Sequence, residues 1–383
     1  MNPKNYIEQL IHDLCPSGVP HKTLGEVLDY EQPTKYIVKS TDYNDNFITP
    51  VLTAGQGFIL GYTNETEGVY KASKECPTII FDDFTTSYHW VEFDFKVKSS
   101  AMKMLRPNKD ADVIFRYMYH VMLSIEYKAE EHTRQWISKY SLFKIPLPPL
   151  PIQEEIVRIL DTFTELITNI DTEIQKQQCE LDLCRKQIFN QLNCRYEQLS
   201  SIFDMRGGYT PSTKNPEYWT DNTGYSWYTM DDIRKNGRKL GNSIRHITEK
   251  AVKGKGLFPK GTIVFATSAT IGEHAILMKP ALTNQRFTAI IPKKDDVYMM
   301  FYYHYAFIID EWCLQHIKRG GFNSVDMDGF AKLPIPLPSI SEQRAIAEKL
   351  DTFEALITNL ETERGLRQMQ YEYYREKLIN LLK

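Results

Sequence analysis

Ile145-Pro146-Leu147-Pro148 returns as Ile335-Pro336-Leu337-Pro338, Leu160-Asp161-Thr162-Phe163 as Leu350-Asp351-Thr352-Phe353, and Leu166-Ile167-Thr168-Asn169 as Leu356-Ile357-Thr358-Asn359. All three matches share a single offset along the chain, so one structural unit is written twice. Upstream the likeness continues at a second, shorter offset: Thr78-Ile79-Ile80-Phe81 matches Thr262-Ile263-Val264-Phe265, and Tyr119-His120 matches Tyr303-His304. The change of offset places insertions between matched segments, where surface loops vary in length.

Downstream of each proline-rich lead lies a charged amphipathic run. Apolar residues at Leu160, Phe163, Ile167, Ile170, Ile174, Leu181, Cys184 and Ile188 step by three and four, interrupted only by Gln177. The second run repeats this at Leu350, Phe353, Ile357, Leu360, Tyr371, Tyr374, Leu378 and Leu381, but sets Arg364 and Arg367 on the seam, where they face a partner or snorkel. Such spacing is a coiled-coil seam, and Ser339-Ile340-Ser341-Glu342 reads as a capping box at the start of the second helix. A helix of about 41 residues is roughly 60 Å long at 1.5 Å per residue, more than one globule needs, so the helices read as spacers.

The expected fold class is α+β, with two α/β-type globules separated by two long antiparallel helices and related by a pseudo-two-fold internal repeat. Boundaries are expected at 1–143, 144–193, 194–333 and 334–383. A short N-terminal helix with an apolar face of Tyr6, Leu10, Ile11 and Leu14 would complete the bundle. Strands are predicted at 78–81, 91–97, 262–266 and 287–291, and tyrosine-rich helices at 113–125 and 297–309.

With 383 residues and 42% hydrophobic content there is material for two or three cores. No stretch approaches the roughly 18 apolar residues of a membrane span, and the N-terminus lacks a signal peptide's apolar centre, so a cytoplasmic location is expected. Six scattered cysteines without C-x-x-C spacing read as reduced thiols. The net charge of −3 does not announce nucleic-acid binding, but residues 194–333 alone carry a basic excess, 19 Lys and Arg against 14 Asp and Glu.

Three catalytic look-alikes are outweighed by structural readings. Asp83 with Asp94-Phe95-Lys96 imitates a metal-dependent nuclease, yet alternation through Val91, Phe93, Phe95 and Val97 already explains a half-buried strand. Asn215-Pro216-Glu217-Tyr218-Trp219 imitates the motif by which adenine methyltransferases hold a flipped base, but glutamate replaces the second proline and a turn is the better reading. Gly254-Lys255-Gly256 lacks the rest of a phosphate loop. The repeated His120 and His304 read as packed or capping residues rather than catalytic ones.

Nucleic-acid chemistry is written more clearly. Arg234, Lys235, Arg238, Lys239 and Arg245, then Asn284, Gln285 and Arg286, then Lys318, Arg319 and Asn323 offer phosphate-neutralising cations and side chains able to bond base edges. In the first globule the equivalents are Lys35, Lys39, Gln56, Lys71, Lys74, Thr85, Thr86, Ser87, Tyr88, His89, Arg134 and Gln135.

In this order of globule, proline-led helix, globule, proline-led helix, the chain resembles the specificity subunits of type I restriction-modification enzymes along essentially its whole length. The resemblance rests on Pro148-Pro149-Leu150-Pro151-Ile152-Gln153, Glu342-Gln343, Cys15-Pro16-Ser17-Gly18-Val19, Leu24-Gly25-Glu26-Val27 and Gly208-Tyr209-Thr210-Pro211-Ser212. It implies that the globules are target recognition domains for a bipartite double-stranded DNA site, and that the helices set the half-site spacing. It also implies docking of two modification subunits that methylate adenine N6, and of restriction/translocase subunits. No cofactor or metal is expected on this chain and no catalytic residue; S-adenosylmethionine, ATP and Mg²⁺ are used by the partners. Two other readings stand beside it, a stand-alone nuclease on Asp83, Asp94 and Lys96 and a coiled-coil adaptor that binds no DNA.

Overall fold

The computed structural model describes residues 3–55, 57–129, 133–221, 223–318 and 323–383. The chain divides into two compact units, Met1–Asp171 with Thr362–Lys383, and Thr172–Glu361.

In the first unit, strands Leu28–Glu31, Met102–Pro107, Thr78–Asp82 and Tyr88–Val91 form one antiparallel sheet in that order. A second sheet joins Ile59–Thr63, Thr49–Leu52 and Lys96–Val97. The central strand Thr78–Asp82 is buried on both faces, and its alternation serves two cores. Ile79 and Phe81 pack beneath the helix Phe115–Met122 and the long helices, while Ile80 packs toward the second sheet.

Strand order repeats in the second unit. There Phe203–Gly207, Phe287–Pro292, Ile263–Ala266 and His274–Leu277 are neighbours, extended by Lys239–Leu240, and a four-stranded sheet lies on the other core. Ile263 and Phe265 face the helical layer with the helix Met299–Gln315, and Val264 and Ala266 face the second sheet.

The long helices span Leu150–Gln191 and Ile340–Asn380. Within the first unit they run antiparallel: Phe163 stacks on Tyr374 with centroids 5.3 Å apart, and Arg364 Nε donates to Asp171 at 3.1 Å. Arg364 thus keeps its seam position by pairing across the seam, whereas Arg367 bonds Glu363 and Gln370 on its own helix. Leu160 and Ile167 are buried and Phe163 and Ile170 half-buried; Leu350 and Ile357 are buried and Phe353 and Leu360 half-buried in the second unit. Ser339 and Glu342 exchange the reciprocal bonds of a capping box.

Both proline-rich leads are strands. Lys144–Pro146 pairs with His21–Thr23, and Pro334–Leu337 pairs with Arg195–Gln198, so each lead closes a globule before its helix begins. At the head of each helix one buried glutamine replaces three main-chain partners. Gln153 accepts from Ile114 N and donates to Asp112 O and Pro148 O; Gln343 accepts from Tyr298 N and donates to Asp296 O and Pro338 O.

The structure corrects several sequence expectations. The N-terminal helix Pro3–Leu14 buries Ile7 with Leu10 and Ile11, leaving Tyr6 and Leu14 exposed. The strand expected over 91–97 is broken: Tyr88–Val91 ends one sheet, and Lys96–Val97, both buried, belongs to the other. Alternation fails there because Lys96 is buried by an ion pair with Glu65 at 3.0 Å, not turned to solvent. The tyrosine-rich helices cover Phe115–Met122 and Met299–Gln315, shorter and longer than expected.

Candidate nucleic-acid interface

Each unit builds a corresponding polar rim at one end of its larger sheet. In the first unit the strand Thr78–Asp82 turns through residues 83–87. Asp82 Oδ1 accepts from the amides of Phe84 and Thr85, both at 2.9 Å, and Thr86 N donates to Asp82 O at 2.9 Å. Thr86 is thereby held at φ 59°, in the left-handed region that a β-branched residue seldom adopts.

Asp83 anchors the turn from beneath. Its carboxylate pairs with Lys103 at 3.0 Å, both side chains 1% exposed, and accepts from Trp136 N at 2.8 Å, while its carbonyl accepts from Gln135 N. Arg134 Nη1 lies 3.5 Å from the same carboxylate with half its side chain exposed.

In the second unit Thr267 stands where Asp83 does, in the register that matches Phe81 with Phe265. Val325 stands where Gln135 does, in the register that matches Ile145 with Ile335. Thr267 N donates to Arg286 O at 3.0 Å, Val325 N donates to Thr267 O at 2.9 Å, and Ala269 N donates to Asn323 O at 3.2 Å. Ala269 has φ 65°; it and Thr86 are the two non-glycine residues with positive φ among the described residues. Beneath this turn the buried ion pair of the first unit is replaced by a hydroxyl pair, Thr267 Oγ1 to Thr288 Oγ1 at 2.9 Å. Thr210 Oγ1 donates to Gln285 Oε1 at 2.5 Å, and a Cβ at Gly208 would overlap Thr283 and the Asn284 carbonyl, so only glycine lets the two segments meet.

The rims gather Thr85, Thr86, Ser87, Arg134 and Gln135 in one unit, and Asn284, Gln285, Arg286 and Asn323 in the other. Thr85, Arg134, Gln285, Arg286 and Asn323 are exposed; Thr86 is buried, as is Gln135, whose amide is engaged by Tyr127 and Thr133. Tyr88 is half-buried, its hydroxyl pushed to higher pKa by burial, and it stacks on Phe81. His89 lies against Phe58 at 4.6 Å with Nε2 3.2 Å from Gly55 O.

Of the remaining cations, Lys318 adjoins the second rim, since its strand partner Ser324 bridges to Ser268. Lys35 lies 3.8 Å from Glu31, Lys71 pairs with Asp94 at 2.5 Å, and Lys39 and Lys74 are exposed. Arg234 lies 3.6 Å from Asp231 on the helix Met230–Asn236, which also carries exposed Lys235. Arg245 lies over Trp219 at 3.8 Å, and Lys318 pairs with Asp326 at 2.6 Å. Gln56 and Arg319 lie outside the described residues.

Two of the expected DNA-binding cations are held in ion pairs within the second unit. Arg238 Nη1 donates to His274 O at 3.0 Å and to Asp310 Oδ2 at 3.1 Å, and Lys239 Nζ lies 3.0 Å from Asp351 and 2.9 Å from Glu354. Ligand atoms of His304, Asp351 and Glu354 fall within 4.8 Å of one another, but Lys239 and Arg185 already neutralise the two carboxylates. A divalent cation there would have to displace them.

Neither repeated histidine has a route to a substrate, since both are fully buried. His120 places Nε2 2.8 Å from Asp161 and Nδ1 3.0 Å from the Tyr371 hydroxyl. Burial lowers its pKa, outweighing the Asp161 hydrogen bond. Asp161 itself, against its own burial, is held low by hydrogen bonds from His120 and Arg116. A neutral ring donating from Nε2 to the carboxylate and accepting at Nδ1 from tyrosine satisfies every atom.

The model of the type I restriction modification DNA specificity domain matches this chain twice, over residues 16–177 and 194–366. The chain belongs to the type I restriction-modification specificity family. It is 40% identical over 407 aligned positions to the type I restriction enzyme EcoR124I/EcoR124II specificity subunit of Escherichia coli, covering 100% of this chain and 98% of that one. It is similar in fold to the type I restriction-modification S subunit of M. genitalium, with a TM-score of 0.56 at 14% identity over 94% of this chain and 96% of that one. A chain from a structure of complex assembly and conformational transition in the type I system gives a TM-score of 0.57 at 17% identity, covering 95% and 97%.

Each stretch matched by the specificity-domain model contains one rim. The nuclease look-alike dissolves within it, because Asp83 is bound to Lys103, Asp94 to Lys71 and Lys96 to Glu65. Asn215 caps a short turn by accepting from Glu217 N. Among the described residues no helix is long and apolar enough to cross a membrane. The turn 267–270 of the second rim escapes the sequence reading, since Thr267-Ser268-Ala269-Thr270 carries neither charge nor aromatic ring. Its one signal is position, just after the strand that matches 78–81.

Proposed function

We propose that the chain is the DNA-reading subunit of a type I restriction-modification enzyme, with each rim contacting one half of a bipartite double-stranded site. The observation that carries this is the rim built twice by different residues on one main-chain plan. A shared frame with divergent side chains suits two readers of two different half-sites. Exposed Arg134 and Arg286 beside hydroxyl and amide side chains supply phosphate contact and base-edge bonding together.

The chain performs no chemistry itself in this reading. Two modification subunits dock on it and use S-adenosylmethionine to methylate adenine N6, and restriction/translocase subunits use ATP and Mg²⁺. The long helices set the interval between half-sites, and the protein acts in the cytoplasm. The dispersal of Asp83, Asp94 and Lys96 into three ion pairs weighs against a nuclease.

Methyl transfer by the pure chain, by the modification subunits and by their complex, followed by mapping of modified adenines, tests this. Only the complex is expected to act, leaving a bipartite motif. Methylation or cleavage by the chain alone discards the non-catalytic role, and a complex without sequence preference favours an adaptor.

A further inference from the structure

We infer that the strained turns at Thr86 and Ala269 are the base-reading elements of the two rims, with Thr85 and Ser87 serving one half-site and Ser268 and Thr270 the other. The inference rests on the DNA-reading function proposed above and names the atoms that perform it. Three observations carry it.

The two non-glycine residues with positive φ among the described residues fall in corresponding turns of the two units, one step apart in the shared register and just after matched central strands. A left-handed alanine or threonine is sterically disfavoured, and such a conformation persists where the surroundings impose it. Here they do. Ala269 N is bound by Asn323 O, and Thr86 N by Asp82 O, so hydrogen bonds of the main chain dictate the conformation.

Secondly, the supports beneath the turns differ while the left-handed step is kept. A buried Asp83–Lys103 pair in one unit and a Thr267–Thr288 hydroxyl pair in the other hold corresponding backbone. Chemistry has changed below, while a left-handed residue is kept in the turn above, displaced by one position.

Thirdly, the turns present hydroxyls beside an arginine. Thr85 is exposed and Ser87 half-exposed, their oxygens 3.2 Å apart; Ser268 and Thr270 are half-exposed, and Arg286 reaches their turn through its carbonyl bond to Thr267 N. A hydroxyl both donates and accepts and so bonds to any base edge it is aimed at. Its selectivity depends on being held still. A rigid, left-handed turn supplies that fixity, and Arg134 and Arg286 supply the phosphate contact that positions it.

The test uses the full chain assembled with its modification subunits and maps modified adenines for wild type, Thr85→Ala/Ser87→Ala and Ser268→Ala/Thr270→Ala. Each double variant is expected to lose preference by about tenfold at one or two base pairs of a single half-site, a different half for each, with the other half unchanged. Ala269→Gly, at an exposed side chain, keeps the left-handed backbone accessible and removes its cost. It is expected to melt no lower than wild type yet discriminate less, a split that a merely structural turn would not produce. If a double variant fails to assemble, this variant decides. Wild-type discrimination in the assembled variants overturns the inference while leaving the DNA-reading function intact. Absence of a bipartite motif from the wild-type complex overturns both.

Discussion

Arg238 and Arg286 look alike as basic residues of the second globule, and their surroundings separate them. Arg238 binds His274 O and Asp310, whose Oδ1 has no hydrogen-bond partner among the described residues, so removing the guanidinium leaves this nearly buried carboxylate with His274 Nδ1 alone, 2.6 Å from Oδ2. Arg238→Ala is expected to cost about 2–3 kcal/mol, read as a lower denaturation midpoint at unchanged slope. Arg286→Ala should leave stability within about 0.5 kcal/mol and make the salt dependence of DNA binding shallower by about one unit. The converse pattern would exchange their roles. Acid sensitivity also belongs to single residues. Burial lowers the pKa of His120 and of His274 below the ordinary 6.5, so the unfolded chain binds protons that the folded chain refuses. Their contribution to stability is complete above that value and is lost as pH falls from it through the lowered one. Melting temperature should therefore drop as pH falls below about 6.5, and His120→Gln should flatten the slope; a slope unchanged by that substitution would place the titration elsewhere.

Helix, lead strand and turn are coupled through Gln153 and Gln343. Replacing Gln153 with leucine keeps the volume but leaves Ile114 N, Asp112 O and Pro148 O without their side-chain partner. At roughly 1–3 kcal/mol for each group that water cannot reach, Gln153→Leu is expected to lower the melting temperature by several degrees. An equal melting temperature would mean that solvent replaces the amide. The helices themselves bear on spacing. Inserting one heptad into both at matched seam positions preserves the seam and lengthens each by about 10.5 Å. The mapped spacer should then change with the bases of each half-site retained. The original spacer at full activity would remove the helices from setting the distance.

At the scale of the whole molecule, each rim lies within its own unit with its own pair of cores. Replacing residues 15–143 with the corresponding segment of another specificity subunit should thus alter one half-site and leave the other. A wrong base pair costs about 1–3 kcal/mol locally, which is enough to register in the mapped motif. Change in both halves would show that the two units do not read independently.

The sequence by itself determined the repeat, the two long helices, the central strands at 78–81 and 262–266 and the family resemblance, because each is written in local spacing: three and four for a seam, prolines at a lead, apolar runs for a doubly buried strand. It also determined that Asn284, Gln285, Arg286 and Asn323 are suited to nucleic acid, but not that they meet at one rim. Only tertiary structure decided that, along with the burial of Gln135 and Lys96 and the ion pairs of Arg238 and Lys239. Whether a cation faces solvent or a buried carboxylate depends on residues far along the chain, as with Lys239 and Asp351 or Arg238 and Asp310. The left-handed turns were hidden as well. Neither Thr86 nor Ala269 favours that conformation locally, and it is imposed by hydrogen bonds of the folded main chain, at Ala269 by the carbonyl of Asn323 from a distant segment.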